Sequence, residues 1–253
     1  PVVGAPGEVL AEAPVAPPVI RLGQAAGWRP VPVSIRDARR LAGPLRERLT
    51  ALARVRTPPP EQGPELLRAN ALRVKYPGVD ALGGVHVTVA AGERVAVIGR
   101  NGSGKSSLLW ALQGTGPRSG GRVTVGGVDP AALKPGPRRR RIGLVPQQPA
   151  DLLYVDSVRG ECAQADTETG QPHGSCRAIL DQLVPGVPDA AHPRDLSEGQ
   201  RLALVLAIAL TATPDVVLLD EPTRGLDYPA KSRLAEALRG IAEEGKAVLL
   251  ATH

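Results

Sequence analysis

From Val85 to Val89 apolar and polar residues alternate, with Val85, Val87 and Val89 on one side, as a strand with one covered face requires. Arg94 to Ile98 form a short apolar run that feeds a glycine-rich stretch, and Lys105 to Gln113 then open a helix. Further strand-like runs lie at Arg122 to Val125, Ile142 to Val145, Val216 to Leu219 and Ala247 to Ala251, alternating with helical stretches. In one of these Leu234, Leu238 and Ile241 keep a helical period. The longest apolar stretch, Leu202 to Leu219, is broken by Thr211, Thr213, Pro214 and Asp215, so it reads as helix, turn and buried strand, not as a membrane span. The pattern predicts an α/β domain with a mainly parallel central sheet and a small antiparallel part ahead of the glycine-rich loop.

Before Leu67 the pattern is different. Residues 1 to about 66 are rich in Pro and Ala, and Pro58, Pro59, Pro60, Gly63 and Pro64 mark a linker. Within this flank Ser34 can cap a basic helix that places Ile35, Ala38, Leu41, Leu45 and Leu49 on one face. Gly43 and Pro44 predict that this helix is interrupted or kinked. The chain starts at Pro1, lacks Met and stops at His253 directly after an apolar run, which reads as an internal fragment.

With 42% hydrophobic and 22% charged residues over 253 positions, there is material for a real core, and wholesale disorder is excluded. A net charge of +6 suits a phosphorylated ligand, nucleic acid or anionic lipid alike. Aromatic residues are only 2%, too few for the stacking platforms of single-strand binders. The densest basic run, Arg138 to Arg141, reads as a solvated loop. Cys162 and Cys176 are too far apart in sequence for a zinc pattern and read as two reduced thiols.

Gly99-Arg100-Asn101-Gly102-Ser103-Gly104-Lys105-Ser106 fits the Walker A pattern, with a strand before it and a helix after it. The glycines let backbone N–H groups wrap phosphates at a helix N-terminus. Lys105 would bridge the β- and γ-phosphates, Ser106 would hold Mg²⁺, and Ser107 closes the loop. Val216 to Leu219, ending in Asp220 and Glu221, is a Walker B arrangement in which Asp220 orients Mg²⁺ through water and Glu221 is the candidate general base. The cofactors expected are therefore ATP and Mg²⁺.

Leu196-Ser197-Glu198-Gly199-Gln200-Arg201 resembles the signature motif of ATP-binding cassette (ABC) ATPases, LSGGQ followed by a basic residue. Glu198 departs from it, standing where the usual first Gly would be. The resemblance, which covers residues about 67 to 253, implies the P-loop fold of that family with a helical subdomain between Gln147 and Leu196. It also implies an adenine-stacking role for Tyr76, a Q-loop role with a Mg²⁺ contact for Gln147, a D-loop at Asp227 and a switch histidine at His253. Two cassettes would sandwich two ATP molecules, with Ser197, Glu198, Gly199 and Gln200 serving the partner's nucleotide.

Gly7 to Leu10, Pro17-Pro18-Val19 and Pro32-Val33-Ser34 look like the tail that follows a cassette in energy-coupling factor (ECF) transporters, and Tyr154 to Cys162 and Thr223 to Tyr228 resemble the ECF cassettes themselves. That resemblance implies residues 1–57 as the tail of a preceding cassette, 58–66 as a linker and 67–253 as a second cassette. It further implies a membrane T component, a substrate-binding S component, import of a vitamin or metal ion, and a peripheral position on the cytoplasmic face of the membrane. The rival class, a soluble cassette ATPase acting on nucleic acid or ribosomes, has only the basic charge in its favour, and no nucleic-acid partner is expected. A regulatory module that holds ATP without turnover is disfavoured by the presence of both Glu221 and His253.

Overall fold

A computed structural model of the chain describes residues 4–13, 16–52 and 63–252. The chain divides into two compact units, Pro1–Pro60 and Glu61–His253. The first holds α1 (Pro6–Val9), α2 (Pro18–Ala25) and α3 (Ile35–Leu52). Ala16, Ile20 and Val31 form its small core. Gln24 ties the α1–α2 connection down by donating to the carbonyls of Leu10 (2.9 Å), Ala11 (3.2 Å) and Ala13 (3.2 Å).

Ser34 caps α3 as expected, its hydroxyl accepting the Asp37 N–H at 3.1 Å and donating to the Asp37 carboxylate at 2.6 Å. The expected interruption does not occur, and α3 runs through Pro44 as an 18-residue helix. On this exposed stretch a carbonyl that loses its proline partner can turn to water, which removes most of the reason to break.

The second unit begins with β1 (Glu65–Tyr76), β2 (Val79–Ala90) and β3 (Arg94–Ile98), then α4 (Lys105–Gln113) and β4 (Gly120–Val125). There follow α5 (Pro135–Arg141), β5 (Ile142–Val145), α6 (Val158–Thr169), α7 (Ser175–Leu183), α8 (Glu198–Thr211), β6 (Val216–Asp220), α9 (Tyr228–Glu243) and β7 (Ala247–Thr252). Four strands make a parallel sheet in the order β3-β7-β6-β5, and three make an antiparallel sheet in the order β2-β1-β4. The Arg122 to Val125 run therefore joins the antiparallel sheet, with Val125 opposite Leu67 and Val123 opposite Ala69, so that sheet also draws on chain beyond the glycine-rich loop.

The strand period of two explains the layering. Val216 and Leu218 face a core shared with α4 and the antiparallel sheet. Their neighbours Val217 and Leu219 face a second core with α8 and α9, closed by Leu234, Leu238 and Ile241. Helix α8 belongs to two cores: Leu202, Val205 and Leu206 meet the sheet, while Ala203, Leu204 and Ala207 meet the helical lobe formed with α6 and α7. Cys162 and Cys176 are free thiols buried in that lobe. A hydrogen bond between them, with burial, pushes the Cys162 thiol up.

Arg138 to Arg141 lie on the last turn of α5, a helix and not a loop. Cations there meet the negative helix end. Arg141 also pairs with Asp215 at 2.9 Å and Arg139 with Glu168. Leu218→Ala, removing a side chain with no exposed surface from the middle of the sheet, is expected to cost about 2–5 kcal/mol. Denaturant unfolding of the variant measures this.

Candidate functional site

The cleft forms where the parallel strands end. β3 runs alongside β7, with Ile98 opposite Thr252, and β7 alongside β6, with Ala251 opposite Asp220. The segments leaving β3 and β6 thus emerge at the same end of the sheet, on either side of β7, where open parallel sheets place their ligands. The cleft measures about 850 Å³ and is lined by the loop from Asn101 to Ser107 together with Tyr76, Gln147, Glu221 and Thr252.

The loop is built on glycine at its tightest point. Gly104 has φ +87°, and a Cβ there would meet the Ala81 carbonyl oxygen at 2.4 Å, so no other residue fits without moving the β2 backbone. Lys105 opens α4 and is buried, and its ammonium donates to the carbonyls of Gly99 (2.8 Å) and Arg100 (3.2 Å). It also stands 3.8 Å from the Glu221 carboxylate. Both carbonyl contacts are of a kind that phosphate oxygens can replace, because an ammonium carries three donors and needs only acceptors.

Asp220 and Glu221 differ in environment. Asp220 is 2% exposed, and its Oδ1 has no hydrogen-bond partner. Burial pushes its carboxyl above the ordinary range, opposed by a hydrogen bond with Ser106. A buried carboxylate oxygen without a donor, beside a serine hydroxyl and under a phosphate loop, suits a hydrated divalent cation. Among the described residues no group of three or more His, Cys, Asp or Glu gathers at one point. A cation here would be held by hydroxyl, amide and phosphate oxygens with one carboxylate behind them, the donor set that Mg²⁺ takes.

Glu221 adopts φ +48°, a left-handed conformation rare for a residue with a side chain. Its N–H donates to the Ala251 carbonyl at 2.9 Å, and its own carbonyl accepts the Arg224 N–H at 3.1 Å. The strand is therefore pinned up to its last residue and then turned sharply, which aims Glu221 into the cleft.

Tyr76 lies at the cleft mouth, with its hydroxyl 3.5 Å from the Ser107 hydroxyl. The hairpin turn at Pro77-Gly78 sets it opposite Val79, and both are exposed apolar surface beside the loop. Val79, Thr223 and Arg224 line this cleft too. Sequence reasoning did not single out Val79, although Tyr-Pro-Gly-Val is a hairpin signal that places it.

Ser197, Glu198, Gly199 and Gln200 do not line the phosphate-loop cleft. They border a separate cavity of about 290 Å³ shared with Gly225, Leu226 and Asp227. Ser197 caps α8, its hydroxyl accepting the Gln200 N–H at 3.3 Å while the Gln200 side-chain oxygen accepts the Ser197 N–H at 3.0 Å. Asp227 caps α9 through the Ala230 N–H at 2.8 Å. His253 lies outside the described residues.

Together these features define a nucleotide-binding cassette of the P-loop class. The family model for the ABC transporter matches residues 82–224, and the chain belongs to that family. It is similar to an ABC transporter ATP-binding protein of Streptomyces avermitilis, 50% identical over 277 residues covering 99% of this chain and 49% of the relative. A cobalt import ATP-binding protein, CbiO, of Rhodobacter capsulatus is 34% identical over 74% of this chain and 70% of its own length. Among solved structures, cbiO1 of Clostridium perfringens, part of the ABC transporter complex cbiONQ, superposes with TM-score 0.66 at 28% identity, over 75% of this chain and 79% of that one. The chain spans about half the length of the two Streptomyces relatives, 49% and 50%, that it matches nearly end to end.

Asp220→Asn removes the buried charge, whose desolvation disfavours the folded state, and is expected to stabilise the nucleotide-free chain at neutral pH. Because the folded-state value is raised above the ordinary 3.8, the penalty is full above the raised value and fades as pH falls toward 3.8. Thermal melts of the two proteins from pH 7 down to pH 4 should therefore converge.

Proposed function

We propose that the chain is one of two ATP-hydrolysing cassettes of a tandem protein that powers ECF-type import of a vitamin or transition-metal ion. The observation that carries this is the division of labour in the second unit. The phosphate loop, Asp220 and Glu221 share one cleft, whereas the start of α8 borders another. Each nucleotide is then completed by the signature of a second cassette.

In this proposal the residues take the following roles. Backbone N–H groups between Gly99 and Ser106 receive the phosphates, Lys105 exchanges its bonds to Gly99 and Arg100 for phosphate oxygens, and adenine lies against Tyr76 beside Val79. Ser106 and Gln147 would hold Mg²⁺, and the carboxylate of Asp220 would orient it from behind. The cation, when bound, offsets the charge of the β- and γ-phosphates. Glu221 takes the proton of the water that attacks the γ-phosphorus as the bond to the ADP oxygen breaks, and His253, which lies outside the described residues, would be the switch residue. Ser197 and Gly199 reach the terminal phosphate held by the partner cassette, while Glu198, Gln200 and Asp227 shape that edge.

The tandem reading draws on relatives about twice this length. In it residues 1–57 close a preceding cassette, 58–66 link, and 67–253 form the second. The import reading draws on the likeness to CbiO and cbiO1. No helix among the described residues is long and apolar enough to cross a membrane. In the import reading a membrane T component with its S component would carry the cargo. A groove of about 380 Å³ between sheet and helical lobe, with Trp110 and Tyr154 exposed along it, offers that component a seat. The protein would then sit on the cytoplasmic face of the membrane.

In the full-length protein Glu221→Gln should keep Mg-ATP binding and lower turnover at this site by at least about 100-fold. Unchanged turnover there would sink the assignment of the base. The unaltered protein should co-purify with membrane proteins and support cobalt or vitamin uptake. Recovery with ribosomes instead would favour the rival class.

A further inference from the structure

The residue that departs from the family signature has a definite place in the structure. Glu198 is the first residue of α8, and its carboxylate pairs with Arg201 at 2.6 Å. The same guanidinium donates to the carbonyls of Pro193 (3.3 Å), Arg194 (3.0 Å) and Leu196 (2.9 Å), the segment leading into Ser197. Glu198 also lies over Gly225, where an added Cβ would meet its Cγ at 3.4 Å and its Cβ at 3.8 Å. Gly225 sits at φ +73° in the turn that starts at Glu221. A narrow cleft of about 350 Å³ runs along this seam, bordered by Gln147, Glu198, Arg201, Glu221 and Arg224. Glycine at position 198 would supply neither the carboxylate nor the methylenes.

We infer that Glu198 is a positioning residue that locks the start of α8 to the Glu221–Asp227 turn. Its carboxylate is held by Arg201, and its methylenes lie over Gly225 at the distance where a Cβ there would touch them. A shift of the turn around Glu221 then carries Ser197 and Gly199 with it, instead of being absorbed by a gap between them. The inference rests on the proposed function, because the start of α8 matters to turnover only if it faces the nucleotide of a second cassette.

The test is a double-mutant cycle on steady-state Mg-ATP hydrolysis by the full-length protein, using Glu198→Gly, Gly225→Ala and the pair, with melting temperatures measured beside it. Each single change should lower kcat about three- to tenfold and leave KM within about twofold. The pair should lose at least about threefold less than the product of the two single effects, as residues acting through one contact do. Glu198→Gln keeps the methylenes on Gly225 and loses the charge, so its kcat should fall between the parent and Glu198→Gly. Single effects that multiply, or effects confined to KM, overturn the inference and leave ATP hydrolysis by the cassette standing. No hydrolysis by the unaltered protein overturns both. If Gly225→Ala does not fold at its left-handed position, equal kcat for Glu198→Gly and Glu198→Gln refutes the seam.

Discussion

The hydrogen bond from the Glu221 N–H to the Ala251 carbonyl, 2.9 Å long, extends the parallel ladder one residue past the end of β6. Everything at the site depends on that register. Ala251 has Val97 on one side and Asp220 on the other, so the strand entering the phosphate loop and the strand ending in two carboxylates are held to one level. A shift of β6 by one residue would exchange Asp220 for Glu221 and turn Val217 and Leu219 toward the wrong core. Burial on both faces prevents this: all five residues of β6 are buried, and the slip would bring a charge into apolar surroundings.

The same register explains why the two carboxylates differ so much while adjacent in sequence. Asp220 still belongs to the strand, so its side chain is desolvated and one oxygen lacks a donor. Glu221 has left the strand through a left-handed turn and reaches a cleft where the Lys105 ammonium lies 3.8 Å away. Dry surroundings strengthen electrostatic interactions with whatever charge enters. The local instability of Asp220 and the strained backbone of Glu221 are sustained by the aliphatic cores on either side of the sheet.

Much of this was legible in the sequence because strong local signals agreed with one another. The Gly99 to Ser106 loop has a fixed spacing, the Val216 to Asp220 run is unbroken, and Lys105 to Gln113 is the span of α4. Three features were not legible. Gly43 and Pro44 predict an interrupted or kinked helix, but an exposed helix can leave one carbonyl to solvent and continue, as α3 does. Chain order places Arg122 to Val125 among the alternating strands and helices, whereas packing across the antiparallel sheet gives it β1 as its partner. The basic run at Arg138 to Arg141 reads as a loop in the sequence because its charges look solvated. Charges in the last turn of a short helix are solvated as well, and two of them find acceptors 29 and 74 residues away.

The signature segment shows a different limit, since sequence spacing identified it but could not tell what it touches. In the structure Ser197 and Gln200 bond to each other and Glu198 lies over Gly225 in the turn after β6, while the phosphate loop binds its own lysine. Neither half is aimed at the other within this chain. Helix α8 nevertheless joins them mechanically, because one face is buried on the sheet that carries Asp220 and the other in the helical lobe. A close-packed interior transmits displacement and does not absorb it. Events at the strand ends therefore have a direct physical path to the start of α8 and to the lobe, and under the proposed function that path connects nucleotide chemistry in one cassette to its neighbour and to the membrane.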